Sequence, residues 1–311
     1  MENPLKAVAV AALRVATTSY IRRAPWSVGK KTAYKLYAGH VGWRPHRATV
    51  RTRFGSLMDV SCPDLVSSTI YATGQWEPVI TEYIRAGLNA GDVFVDCGAN
   101  IGYYSILAAP IVGGSGRVYS IEASPRIHDR LQRNVEINGC GNVRTMNAAA
   151  SSQPGELSIY LAPEGNLGHS TTVASLAEQE QMRLEAKIRA DTLPHLIGPD
   201  LYQARFIKVD VEGAVEGAEC SVLEPVFGSL ASFNERTEWL LELAPDWSAG
   251  GQADIDRIFG AFLSAGYRAY DMPNEYRPEF YLAAPHTEFS PLGQPPTKRC
   301  DVLMSRIYAS R

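Results

Sequence analysis

Asp96, Gly98, Asn100 and Gly102 fall at D-x-G-x-N-x-G within FVDCGANIGYYS (94–105), where a short apolar run breaks into a loop and then resumes at helical spacing. An acid at the carboxyl end of a strand followed by glycines makes a tight turn with close backbone approach, and asparagine is the non-glycine residue that best tolerates left-handed backbone. A pyrophosphate turn would read G-x-G-x-x-G, but here its second glycine is Asn100 and the third is out of phase. The spacing instead suits a ligand without phosphate, an amino acid joined through a sulfonium to adenosine: S-adenosylmethionine. Glu122 ends the next apolar run about twenty residues on, where an acid accepts hydrogen bonds from both ribose hydroxyls. The plainer alternative is that Asp96 and Glu122 only cap helices.

Acid–base chemistry has four candidates. Lys208 and Asp210 in KVDVEG share one face of a strand, and Glu212 follows at its carboxyl end. A carboxylate there is placed to take a hydroxyl proton or orient an acceptor, and the competing reading is a buried Lys208–acid pair with Glu212 capping the next helix. His169, in NLGHSTT, is a candidate acceptor-side base, because an unperturbed imidazole changes charge near neutrality. Asp210 and Glu242 offer hard oxygens for a divalent ion, although a metal is not expected because a third ligand is missing.

These residues need a scaffold that brings strand ends together. Apolar runs at 93–97, 117–121, 143–148, 206–211, 239–243, 267–271 and 301–307 read as strands. Helical periodicity falls at Trp76–Leu88, Ile101–Ile111, Ile127–Val135, Val215–Phe227 and Ile255–Leu263. Ser124-Pro125 is an N-cap followed by an N1 proline. Alternating strands and helices with short connections predict a doubly wound, mostly parallel α/β sheet, whose ligand crevice lies beyond the carboxyl ends of its strands. Thr49–Val60 predicts a hairpin around Phe54-Gly55-Ser56. Residues 155–191 form a β insertion with two period-2 stretches, expected to extend or cover the sheet. The division expected is 1–69, a basic helical extension with the hairpin, and 70–311, the catalytic domain.

GDVFVDCGANIGYYSILAA, VYSIEASP, NAAASS and FIKVDVEGAVEGAE together resemble the FkbM family of class I S-adenosylmethionine-dependent methyltransferases, over about residues 70–245. The resemblance implies a Rossmann-like sheet of seven strands, one antiparallel, and O-methylation of a sugar, glycolipid or polyketide-like natural product. It also implies that Asp96, Gly98, Ala99, Asn100 and Gly102 line the methionine end, that Glu122 with Ala123 takes the ribose, that Asn147 and Ala148 lie near adenine, and that Asp210 borders the cofactor. Glu77, in IYATGQWEP, is similar to the family's acidic position there; it reaches the methionine amino group or favours its helix N-terminus.

Acceptor recognition is expected from the amino-terminal aromatics Trp26, Tyr34, Tyr37 and Trp43, from the insertion, and from the loop 273–298 with Tyr276, Phe280, Tyr281 and Phe289. The net charge of −3 hides an asymmetry: residues 1–53 carry eleven Lys/Arg against Glu2, a net +10, leaving −13 elsewhere. A docked, solvated face explains this arm, and so does peripheral contact with an anionic membrane. Ala7–Leu13 is too short to span a bilayer, so a cytoplasmic protein is expected. Five scattered cysteines indicate neither a disulfide framework nor a zinc site. The rivals are a nucleic-acid methyltransferase using the basic arm, although DVEG stands where N/D-P-P-Y/F would, and a non-catalytic or NAD-binding Rossmann-like protein.

Overall fold

The computed structural model describes residues 4–24, 29–42, 44–161, 170–171, 183–211, 218–247 and 250–308. The chain opens with helices α1 (Pro4–Arg23) and α2 (Lys30–Tyr37), then the hairpin β1 (His46–Arg51) and β2 (Leu57–Cys62). Helices α3 (Leu65–Thr73) and α4 (Pro78–Gly87) lead into β3 (Val93–Cys97), α5 (Tyr103–Val112), β4 (Arg117–Glu122), α6 (Pro125–Ile137) and β5 (Val143–Asn147). The remaining strands are β6 (Ala149–Ala150), β7 (Gly155–Leu161), β8 (Ser170–Thr171), β9 (Arg183–Asp191), β10 (Phe206–Val209), β11 (Glu238–Leu243), β12 (Arg268–Met272), β13 (Ser290–Pro291) and β14 (Cys300–Ser305).

The central sheet runs β13-β12-β14-β11-β10-β3-β4-β5. Strands β11, β10, β3, β4 and β5 are parallel, and β14 runs antiparallel to both β11 and β12. This is the doubly wound, Rossmann-like sheet with one reversed strand, to which the two-residue β13 adds an eighth strand at the β12 edge. Period-2 alternation divides each strand between two cores. Phe94, Phe206, Leu240, Leu303 and Tyr270 pack under α4 and α5. Val95, Ile207, Leu241, Val302 and Ala269 pack on the other face against helix Gln252–Ser264.

Three readings change. The insertion does not extend the central sheet: β7 and β9 pair with each other and with β6 and β8 in a separate four-stranded sheet, because Ile159, Ile188 and Ala190 bury themselves with Ala149 in a small core of their own. The strand read as 143–148 breaks at Ala148, after which β6 starts that second sheet. The helix read as 215–227 is α-helical over Ala218–Leu223 and continues as a 3-10 helix, Glu224–Ser232, Pro225 having no N–H for an α-helical bond; residues 215–217 lie outside the described residues.

Elsewhere local chemistry matches the sequence. Ser124 caps α6 by accepting from the Ile127 amide, with Pro125 at N1. Buried Asn134 on α6 accepts from the Asp59 amide and donates to the Ile101 carbonyl, tying the hairpin to the glycine loop. Tyr37 is buried under α1 and α3 and Tyr34 packs beside it, whereas Trp26 and Trp43 lie outside the described residues.

Candidate active site

Strand alternation puts Asp96, Lys208, Glu242 and Asp301 on the face that also carries Phe94, Phe206, Leu240 and Leu303. Asp96 is the register partner of Lys208, and Glu242 that of Asp301. Because β14 is reversed, its first residues lie beside the carboxyl end of β11. The sheet therefore gathers charge at one end of one face, below α4 and α5.

The loop after β3 is shaped as its residues require. Gly98 and Gly102 have φ of 81° and 88°, and Asn100 takes the left-handed conformation at φ 48°. The Gly98 and Ala99 amides both donate to the Ile121 carbonyl, at 3.0 and 2.9 Å, which joins the loop to the end of β4. Gly98 lies directly under the Asp210 backbone, so close that a Cβ would fall 1.8 Å from its carbonyl oxygen.

Asp96 is buried, one oxygen accepting from the Ser105 hydroxyl at 2.6 Å. Its Oδ1 and the Oδ1 of Asp210 have no hydrogen-bond partner among the described residues. Burial pushes the Asp96 carboxyl up, against the pull of Lys208. Lys208 is ion-paired with Asp210 and lies 5.0 Å from the Tyr104 ring centre. Burial opposes its charge, but the Asp210, Glu77 and Asp96 carboxylates outweigh it and raise the ammonium above its ordinary value. The Lys208–acid pair foreseen as the plainer reading is thus present.

Glu122 ends β4 with its carboxylate accepting from the Asn100 and Ser124 amides, each at 2.9 Å. Burial drives it up to about 7, with the two amide bonds opposing. Asn147 donates to the Glu122 and Ala123 carbonyls, and the Ala148 amide donates to the Glu122 carbonyl; these expected cofactor residues thus form one bonded edge. Glu185, from β9, accepts from the Ser124 hydroxyl at 2.8 Å and from the Arg126 amide at 3.1 Å, so the inserted sheet laps over this edge.

Glu77 does not cap α4 through its side chain, though it holds the N-cap position at φ 36°. Its carboxylate accepts instead from the Tyr104 hydroxyl (2.6 Å), the Asn274 amide (2.8 Å) and the Tyr276 hydroxyl (3.0 Å). The same Asn274 nitrogen reaches Asp301 at 2.9 Å. Burial, with the Glu77 carboxylate next, pushes Asp301 up to about 8. Tyr276 stacks on Trp76 with ring centres 5.4 Å apart and accepts from Arg299 at 2.7 Å. Arg299 also pairs with Glu242.

Asn274, Arg299 and Asp301 carried no motif in the sequence. Of the loop aromatics expected on the acceptor side, Tyr276 is exposed, whereas Tyr281 and Phe289 are core residues and Phe280 packs against them, because the loop folds its apolar side chains back onto α4. Glu212 and His169 lie outside the described residues. Asp210 and Glu242, the candidate metal pair, each carry their own cation, Lys208 and Arg299, and no group of three metal-ligating side chains occurs among the described residues.

The residues fit S-adenosylmethionine. Five carboxylates (Glu77, Asp96, Asp210, Glu242 and Asp301) face two cations, an acid excess that suits a cationic ligand. Among the described residues the Asp96 and Asp210 Oδ1 atoms lack donors, which an ammonium would supply.

The model of the methyltransferase FkbM domain matches residues 96–269. No curated protein matches the sequence. Similar solved structures include an S-adenosylmethionine-dependent O-methyltransferase from Thermotoga maritima (12% identity, 83% of this chain and 77% of that one, TM-score 0.38). Another is fibrillarin from Aeropyrum pernix with natively bound S-adenosyl-L-methionine (13%, 84% and 97%, 0.37). A third is an rRNA methylase from Streptococcus thermophilus (10%, 74% and 96%, 0.40).

Proposed function

The chain belongs to the FkbM family of S-adenosylmethionine-dependent methyltransferases, and from that premise we propose that it transfers the methyl group to a hydroxyl of a polyhydroxylated acceptor, a sugar or glycolipid. The carrying observation is the crevice itself: Asp96 with an unmet acceptor oxygen on one side, and Asp301 and Tyr276 at the rim on the other. When bound, the cofactor supplies an electrophilic methyl on sulfur. Asp96 and Asp210 would hold its ammonium, and Glu122 would take the ribose hydroxyls.

The remaining task is to orient an alcohol and take its proton. Asp210 is committed to Lys208, Glu242 to Arg299, and Glu77 to three donors. Asp301 is half-buried and, among the described residues, held only by Asn274. It is therefore the carboxylate we assign as base, with Tyr276 and Asn274 positioning the acceptor. An acid-rich crevice repels a phosphodiester chain, which favours a neutral acceptor over nucleic acid.

Calorimetric titration with S-adenosylmethionine tests the cofactor, and radiolabelled methyl transfer to methyl glycosides, glycolipids and oligonucleotides tests the acceptor. Wild type is expected to bind, Asp96→Ala and Glu122→Ala to lose binding, and Asp301→Asn to bind normally yet lose transfer by about 10²-fold or more. Absence of binding by wild type, or transfer to oligonucleotides alone, overturns the proposal.

A further inference from the structure

Helix α1 is unusual for a surface helix because its outward side is apolar. Thr17, Thr18 and Ile21 face the body and are buried. Arg22 anchors this end by donating to the Ile70, Tyr71 and Arg51 carbonyls. The opposite side presents Val8, Ala12 and Val15 at i, i+4 and i+7, flanked by Ala11 and Ala16. Val8 is 67% exposed and Val15 60%. A helix with one face docked carries polar residues on the other; here the outward stripe from Val8 to Ser19 holds no charge.

The surroundings indicate what covers it. No acidic residue occurs between Glu2 and Asp59, while that stretch holds all eleven arm cations, Lys6 and ten from Arg14 onward. Arg23, Lys31, Lys35, Arg47 and Arg51 are exposed. Lys31 meets Glu279 at 3.5 Å across the surface, a contact of small worth. A second copy docked here would bring one +10 arm against another, which repels. An anionic lipid surface complements both features, apolar side chains entering the acyl boundary and Lys/Arg meeting headgroups. No described helix is long and apolar enough to cross a membrane.

We propose that the outward face of α1 seats this protein on an anionic lipid bilayer, with Val8, Ala12 and Val15 entering the interface and exposed cations of the arm holding the headgroups. The inference rests on this surface and is independent of the acceptor.

The test is cosedimentation of the full chain with phosphatidylcholine vesicles, with and without phosphatidylglycerol. Binding is expected only with phosphatidylglycerol, weakened by high salt as screening requires. A Val8→Glu/Val15→Glu variant is expected to lose at least tenfold in partitioning with unchanged melting temperature and S-adenosylmethionine binding, since both positions are exposed. No binding to the anionic vesicles, equal binding to both vesicle types, or undiminished binding by the variant overturns the proposal. So does light scattering that shows a dimer split by the same substitutions, which would give the face to a second copy.

Discussion

Replacing Gly98 by alanine tests how the loop and the β10 terminus are locked together. Its backbone is left-handed at φ 81°, and an added methyl would lie 1.8 Å from the Asp210 carbonyl oxygen and 2.7 Å from its carbon. The obstacle is backbone, so no rotamer change relieves it. The left-handed penalty is about 1–2 kcal/mol and the forced overpacking about 1–3 kcal/mol, together about 2–5 kcal/mol. With an unfolding entropy of ~2.1 cal/mol/K per residue, a chain of 311 residues loses about 3–8 °C in melting temperature. Because Asp210 must move, S-adenosylmethionine affinity falls at least tenfold as well. Gly114→Ala, with nothing within 4 Å of its added methyl, is the control and should change neither. Differential scanning fluorimetry and calorimetric titration measure the two effects; a Gly98→Ala protein with wild-type melting and wild-type affinity would refute the reasoning.

Glu122, raised to about 7, favours its protonated form in the folded protein, so its contribution to stability is present below about pH 4.5 and fades as pH rises through about 7. A ribose hydroxyl donates to the ionised form, so cofactor affinity should climb between pH 6 and 8, and calorimetry on Glu122→Gln should show a flatter, weaker profile. Asp301, raised to about 8, acts as base only when ionised; kcat/KM should rise through about pH 8 and level off above it, and a profile flat from pH 6 to 9 would remove Asp301 from that role. At the opposite end of the sheet Arg205 and Glu238, both buried, pair at 2.7 Å. Arg205→Met strands the carboxylate and should cost about 3–5 kcal/mol in denaturant unfolding, much of it recovered by the double change with Glu238→Met.

The parallel core and the bonded edge joining the glycine loop to Glu122 were legible because each depends on local signals. The glycine loop, the Ser124-Pro125 cap and Glu122 each sit within a few residues of the strand or helix that fixes them. Asp301 and Asn274 were not legible, because their place comes from strand reversal and pairing across the whole chain. An antiparallel strand beside β11 does place its first residues in the crevice, so an acid opening the strand at 300–305 was the one available signal. The insertion was read as strands but not as a separate sheet, since period-2 alternation says which faces are buried and not against what. Glu185 over the Ser124 edge follows from that same packing.

The contacts that hold Asp301, Asn274 and Tyr276 in the crevice join residues far apart in sequence: Glu77 to Asn274 spans 197 positions and Gln75 to Tyr281 spans 206. Loop closure over such distances precedes any energetic return, so structure of this kind forms late. During synthesis the chain therefore completes the cofactor edge around β3 and β4 long before β14 inserts between β11 and β12. A nascent chain arrested before residue 300 has the glycine loop and Glu122 but not Asp301, the carboxylate we assign as base. With the roles we propose, donor binding and transfer competence are separated in the time course of folding by the entry of one strand.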